Sequence, residues 1–154
     1  MKKEKDTVVK NKKALHDYFI KDKYEAGLVL KGSEVKSLRM GAANLQDSYV
    51  KITDDYEAYL HNSHISKYKH ANRHNHDPKR KRKLLLRKSQ IKRLVRKQRV
   101  KNFTIIPLEI YFNKDGLAKT EIALARGKKK HDKRHTIKEK EAQRKIDRIK
   151  KEKY

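Results

Sequence analysis

The stretch Tyr24–Val50, YEAGLVLKGSEVKSLRMGAANLQDSYV, decides the architecture. Its opening alternates. Tyr24, Ala26, Leu28 and Leu30 share one face, and Glu25, Gly27 and Val29 share the other, the period of a half-buried strand. Gly27 inside that strand marks a bulge or the close approach of another backbone. The period then changes. Ser33 is placed as the N-cap of a short helix carrying Val35, Leu38 and Met40, and Gly41 stands where its C-cap is expected. From Leu45 the strand pattern resumes. A strand, a short helix and a strand within so few residues fit a small β-rich domain with an inserted helix.

The rest of the chain extends this pattern. The first strand runs from Tyr18 to Leu30 and the second from Leu45 to Thr53. Asp54-Asp55 turns the chain into a third strand over Glu57–Ile65. Ser66–Arg82 is polar, contains Asp77-Pro78 and reads as a loop. Leu84–Val100 reads as a helix, with Ile91, Leu94 and Val95 as its apolar stripe. Phe103–Phe112 and Leu117–Ala125 are two more strands, joined by a turn at Asn113-Lys114-Asp115-Gly116. Pro107 requires an edge or a bulge. About five strands with one inserted helix suggest a closed β-barrel, mainly β with flanking α. The division is a body over residues 1–125 and a basic tail over residues 126–154, with residues 1–10 a loose basic arm. The tail offers only Ile137, Ala142, Ile146, Ile149 and Tyr154 for packing, so it is expected to be disordered when free, and the helical spacing of Ile146 and Ile149 lets it become helical on a partner.

Charge sets the function class. The 154 residues hold 44 Lys+Arg and 19 Asp+Glu, a net charge of +25. Residues 61–101 contain 16 cations and one acid, Asp77; residues 126–154 contain 14 cations and five acids. Folding does not require such zones, because clustered like charges oppose compaction. A phosphate backbone would neutralise them and release counterions. No apolar run approaches the roughly 18 residues of a membrane span, and no secretory signal is read. The chain has no cysteine, which excludes thiolate metal sites and thiol catalysis.

Catalytic patterns are weak. Asp54 and Asp55 read as a turn, and His61, His64, His70, His74 and His76 lie in cationic sequence that opposes a divalent ion. They are read as polar or RNA-contacting, and no metal or cofactor is expected. The cations Lys79, Arg80, Lys81, Arg82 and Lys83, next to Leu84-Leu85-Leu86, read as an electropositive lip at a helix N-terminus, a conflict that an external anion would relieve.

Four blocks together resemble one family. They are NKKALHDYFI from Asn11, the Tyr24–Val50 stretch, DPKRKRKLLL from Asp77 and GKKKHDKR from Gly127. In this order they resemble SmpB, the tmRNA-binding proteins of bacterial trans-translation. The resemblance implies an OB-fold β-barrel with short helices and no catalytic activity. It implies binding to the tRNA-like domain of tmRNA, delivery with elongation factor Tu and GTP to stalled ribosomes, a cytoplasmic location and a monomer when free. By the same resemblance, Asn11, Glu25, Leu85 and Lys119 match tmRNA-binding positions. Gly127, Lys128, Lys129, His131, Asp132, Lys133 and Arg134 match a tail motif for the decoding centre, with Ile149 further along and His16 near the same ribosomal site; the partner on which the tail becomes helical is then the ribosome. Three positions depart from the pattern: Ala142 stands where an aromatic residue is frequent, Lys150 near a frequent methionine, and Asn102 where glycine is common. Other classes stay open on composition: a ribosomal or general RNA-chaperone protein, a metal-dependent nuclease using Asp47, Asp54 or the histidines, and a DNA-compacting protein.

Overall fold

The computed structural model describes residues 5–71 and 74–153. Residues 1–4 of the expected arm and Tyr154 of the tail lie outside them. The strands are β1 (Lys5–Lys10), β2 (Tyr18–Leu28), β3 (Ala43–Asn44), β4 (Tyr49–Ile52), β5 (Ala58–His61), β6 (His64–Ile65), β7 (Arg82–Leu85), β8 (Thr104–Asn113) and β9 (Ala118–Gly127). The helices are α1 (Ala14–Asp17), α2 (Gly32–Arg39), α3 (Lys88–Lys101) and α4 (Lys130–Lys153).

The main sheet runs β1-β8-β4-β5-β7-β2-β9, and an additional β8–β9 pairing closes six of these strands into a ring. All its pairings are antiparallel, and β1 hangs on β8 outside the ring. The core is largely apolar: Ala26, Leu60, Leu94, Ile105, Ile110, Ile122 and Leu124 are all wholly buried. Leu94 belongs to α3, so that helix closes the core with the stripe its sequence showed.

Several sequence expectations match. Gly27 is held against Leu85: a Cβ at Gly27 would lie 3.1 Å from the Leu85 Cβ. Pro107 sits at a register shift between β8 and β9, the expected bulge. Gly116 turns the β8–β9 hairpin at φ 76°, and Gly41 follows α2 at φ 71°. Asn102 caps α3 in the left-handed region at φ 50°, a conformation asparagine tolerates better than most residues. That explains why it can stand where glycine is common.

Other expectations are corrected. The segment 5–10 of the supposed arm is a strand, because β8 supplies hydrogen-bond partners from Lys5↔Asn113 to Lys10↔Glu109. The helix expected from Leu84 starts at Lys88, and Arg82–Leu85 form β7. A short apolar run reads equally as either state. Ser33 lies inside the first turn of α2, whose N-cap is Lys31. There the Glu34 carboxylate accepts the Lys31 amide at 2.8 Å. The tail, expected to be disordered when free and helical on the ribosome, forms the 24-residue helix α4. Its lysines, arginines and glutamates are good helix formers, and His135–Glu139 and Gln143–Asp147 pair across one turn at 3.1 and 3.0 Å. The strand β9 runs to Gly127, so its last two residues fall on the tail side of a boundary at residue 125. Among the described residues no helix is long and apolar enough to cross a membrane.

Candidate nucleic-acid interface

The strand β7 determines which of the clustered cations face water. Along Arg82-Lys83-Leu84-Leu85 the burial alternates, in and out, as a strand requires. Arg82 and Leu84 point into the ring, whereas Lys83 and Leu85 point outward. Arg82 is completely buried and ion-paired with Glu34, also completely buried. Its remaining donors reach the Ser63 carbonyl at 2.8 Å, the Ser63 hydroxyl at 2.9 Å and the Pro78 carbonyl at 3.0 Å. Arg80 donates from Nε (3.1 Å) and Nη2 to the same Glu34 carboxylate. Burial pushes the Glu34 carboxyl up, but Arg80, the Lys31 amide and Arg82 outweigh it and hold the group below the usual carboxylate range. Arg82 is thus withdrawn from the expected lip, and Arg80 is committed largely to the brace. Lys79, Lys81 and Lys83 remain exposed. The helix-dipole argument for the lip lapses, since these cations precede and enter a strand.

Register brings the separate candidate positions together. Leu85 pairs with Gly27, Gly27 with Lys119, and Lys119 with Tyr111, so one row crosses β7, β2, β9 and β8. Gly27 has no side chain, and Leu85 lies over it while remaining 56% exposed. One pleat along, Glu25 pairs with Glu121, Glu121 with Glu109, and Glu109 with Lys10. Asn11 follows Lys10, but its side-chain amide is already donated to the Pro107 carbonyl at 2.9 Å.

Three carboxylates in adjacent strands should repel. Each has a local counterpart instead. The Tyr111 hydroxyl donates to Glu25, Lys5 donates to Glu109, and the Lys23 ammonium lies 3.9 Å from Glu121. Burial, then the bond to Glu25, pushes the Tyr111 phenol well above its ordinary value, so it stays a proton donor. Glu25 is exposed on this surface. The result is an outward face combining an apolar side chain, a lysine and an oriented carboxylate. A carboxylate accepts from base amino groups, a lysine holds phosphate, and an apolar side chain covers an unstacked base.

The tail begins elsewhere on the ring, beside α1. The Lys128 amide donates to the Asp17 carbonyl at 2.8 Å, and its ammonium reaches the Leu15 carbonyl at 3.0 Å and the Thr136 hydroxyl at 2.7 Å. Lys133 lies 3.6 Å from the Asp17 carboxylate, which also meets His16 at 2.8 Å. The His16 bond, with Lys133 behind it, holds the Asp17 carboxyl below its usual range. Arg126 and Lys128 both lie over the Phe19 ring, at 5.1 and 5.0 Å. The Lys129 amide donates to Asp132 at 3.3 Å, and His131 sits 3.1 Å from Asp132. Gly127, Lys129, His131 and Arg134 are exposed, as is Ile149 at 54%.

A family described as "SmpB protein" matches residues 8–152. The chain belongs to the SmpB family. An SsrA-binding protein from Desulforudis audaxviator is 58% identical over 142 residues, covering 92% of each chain. One from Geobacillus thermodenitrificans is 52% identical over 147 residues, covering 96% of this chain and 94% of that one. A solved chain described as "tmRNA-SmpB: a journey to the center of the bacterial ribosome" is 45% identical with a TM-score of 0.67, covering 84% of this chain and 93% of its own.

For this SmpB chain, sequence reasoning missed the residues that organise the site. Glu34 braces the cationic loop, Tyr111 orients Glu25, and Asp17 anchors the tail. Only Asp17 had a local signal, its place beside His16; the others are assembled by strand pairing and loop closure. His76, read as polar or RNA-contacting, is 2% exposed, bonded to the Ser33 hydroxyl and the Ile65 carbonyl, both at 2.8 Å. It is structural. Among the described residues no group of three or more His, Cys, Asp or Glu side chains is placed to hold a metal.

Proposed function

We propose that this chain binds the tRNA-like domain of tmRNA and delivers it to stalled ribosomes for trans-translation, as an adaptor rather than a catalyst. Membership of the SmpB family, relatives named for SsrA binding and the tmRNA–ribosome neighbour support this reading. The observation that carries it to the residues is the register row joining Leu85, Gly27 and Lys119, with Glu25 one pleat away.

The ring of strands serves as an OB-type barrel. On its outer face Glu25 accepts from base amino groups, Leu85 covers an unstacked base and Lys119 holds phosphate. Lys79, Lys81 and Lys83 add phosphate contacts, and Asn11 lies at the rim. The tail from Gly127 onward enters the empty decoding centre and message path. Gly127, Lys128, Lys129, His131, Asp132, Lys133 and Arg134 meet ribosomal RNA there, His16 lies beside them, and Ile149 anchors further along. Elongation factor Tu with GTP joins through the tmRNA. The protein is a monomer before binding and works in the cytoplasm, where stalled ribosomes are.

The test is competition. Full-length protein should retain labelled tmRNA tRNA-like domain against excess bulk tRNA, and Glu25→Gln and Leu85→Asp should each weaken that binding without lowering the melting temperature. Equal displacement by bulk tRNA would instead support a general RNA-chaperone role.

A further inference from the structure

The outer face of β4 and β5 takes no part in the contacts assigned above, yet it is built from rings and cations. Tyr49 pairs in register with His61, and Lys51 with Tyr59. The neighbours between them, Val50 and Leu60, are 4% and 0% exposed, so all four alternate residues point outward. Tyr49 and His61 stack at 5.3 Å with 5° between their planes, and Tyr49 is 42% exposed. Lys81 lies 4.8 Å over the Tyr59 ring. The carboxylate on this face, Glu57, is engaged by the Tyr59 hydroxyl at 2.7 Å and by Lys83 at 3.7 Å. Burial, then Lys51 and Lys81, hold the His61 imidazolium below its ordinary pKa, which favours a neutral stacking ring.

We propose that the Tyr49–His61 pair is a stacking platform for an unpaired nucleotide of the same RNA that the Glu25–Leu85–Lys119 face grips. The inference rests on that reading and extends it to two further strands. One face of the Tyr49 ring is taken by His61, so an added base continues the stack on the other. Aromatic rings flanked by cations are the recurring way of holding single-stranded nucleic acid. A base inside a duplex has both faces covered, so the occupant is an unpaired residue. Charge selects RNA over a protein segment. Lys51, Lys81 and Lys83 surround the rings, and the single carboxylate among these outward residues is already neutralised. Continuity selects the same RNA. Tyr59 pairs with Lys83, and Leu85 follows two residues later on the same face. From β4 through β5 and β7 to β2 is three interstrand steps, about 14 Å, within reach of one bound molecule.

The test uses full-length protein and the tmRNA tRNA-like domain with 5-bromouridine in place of uridine. Irradiation should crosslink RNA to the peptide carrying Tyr49 or the one carrying His61, as read by mass spectrometry. Tyr49→Ala with His61→Ala should lower affinity about 5- to 160-fold, the range for one stacked base. Tyr49→Phe with His61→Phe, which keeps both rings and the fold, should retain wild-type affinity. The inference fails if the double alanine variant binds as wild type while Glu25→Gln does not. It also fails if the double phenylalanine variant is as weak as the alanine one, or if crosslinks at Tyr49 form only after ribosomes are added. Loss of tmRNA preference in the wild-type protein would overturn the parent reading instead.

Discussion

Replacing Glu34 by glutamine should unseat the brace beneath the cationic loop. The substitution changes shape very little, so its effect is one of charge. Glu34 accepts from the Lys31 amide, twice from Arg80 and once from Arg82. Both Glu34 and Arg82 side chains are fully buried. Removing the carboxylate leaves the Arg82 guanidinium as an uncompensated interior charge, a change that typically costs about 3–5 kcal/mol. For a chain of this size each kcal/mol lowers the melting temperature by about 2–4 °C. Glu34→Gln should therefore melt about 6–20 °C below wild type at pH 7, followed by circular dichroism. The double variant Glu34→Leu/Arg82→Met should recover much of that loss, because a buried ion pair replaced on both sides by apolar groups is often neutral. The pH dependence supplies a further check. The folded-state pKa of Glu34 is lowered, so its contribution is fully present above the unfolded value of about 4.3 and is lost as pH falls through the lower folded value. The gap between wild type and Glu34→Gln should narrow below about pH 4. A melting shift under 2 °C, or a double variant no better than the single one, would refute the account of Arg82 as an inward, charge-compensated residue.

Gly27→Val should push Leu85 off its seat, since even a Cβ meets the Leu85 Cβ at 3.1 Å; tmRNA affinity should fall, and unchanged binding would detach Leu85 from the interface. Affinity for tmRNA should drop about 10³–10⁵-fold between 50 and 200 mM salt if roughly six to ten phosphates are neutralised; a flat filter-binding response would speak against a phosphate-dominated interface. Truncation after Lys129, which spares the whole of β9, should leave tmRNA binding within about twofold and abolish tagging on stalled ribosomes in a reconstituted translation assay, because the tail's charge lies beyond the ring. Asp17→Asn should weaken the hold on Lys133 and speed amide hydrogen exchange at the start of α4; unchanged exchange would show that the Lys128 contacts alone suffice.

Much of this molecule was legible in one dimension. The strand over Tyr18–Leu30 and the helix around Leu38 follow from local periodicity, which a single chain carries complete. So do the hairpin at Asn113–Gly116, the bulge at Pro107 and the close approach at Gly27, each imposed by a residue with few backbone options. The two cationic zones, and with them a polyanionic partner, are likewise properties of composition. The placement of individual charges was not legible. The run Lys79–Lys83 has one sign throughout, yet folding sends Arg82 inward to Glu34 and leaves Lys79, Lys81 and Lys83 outside. That sorting depends on β7 being a strand, and β7 is a strand because β2 and β5 flank it with unpaired hydrogen-bonding groups. The same holds for β1, which needs β8, and for Glu25, whose orientation needs Tyr111 from a strand 86 residues away in sequence. Periodicity and charge are local, so they could be read along the chain. Pairing partners and the inside of a ring exist only once distant segments meet.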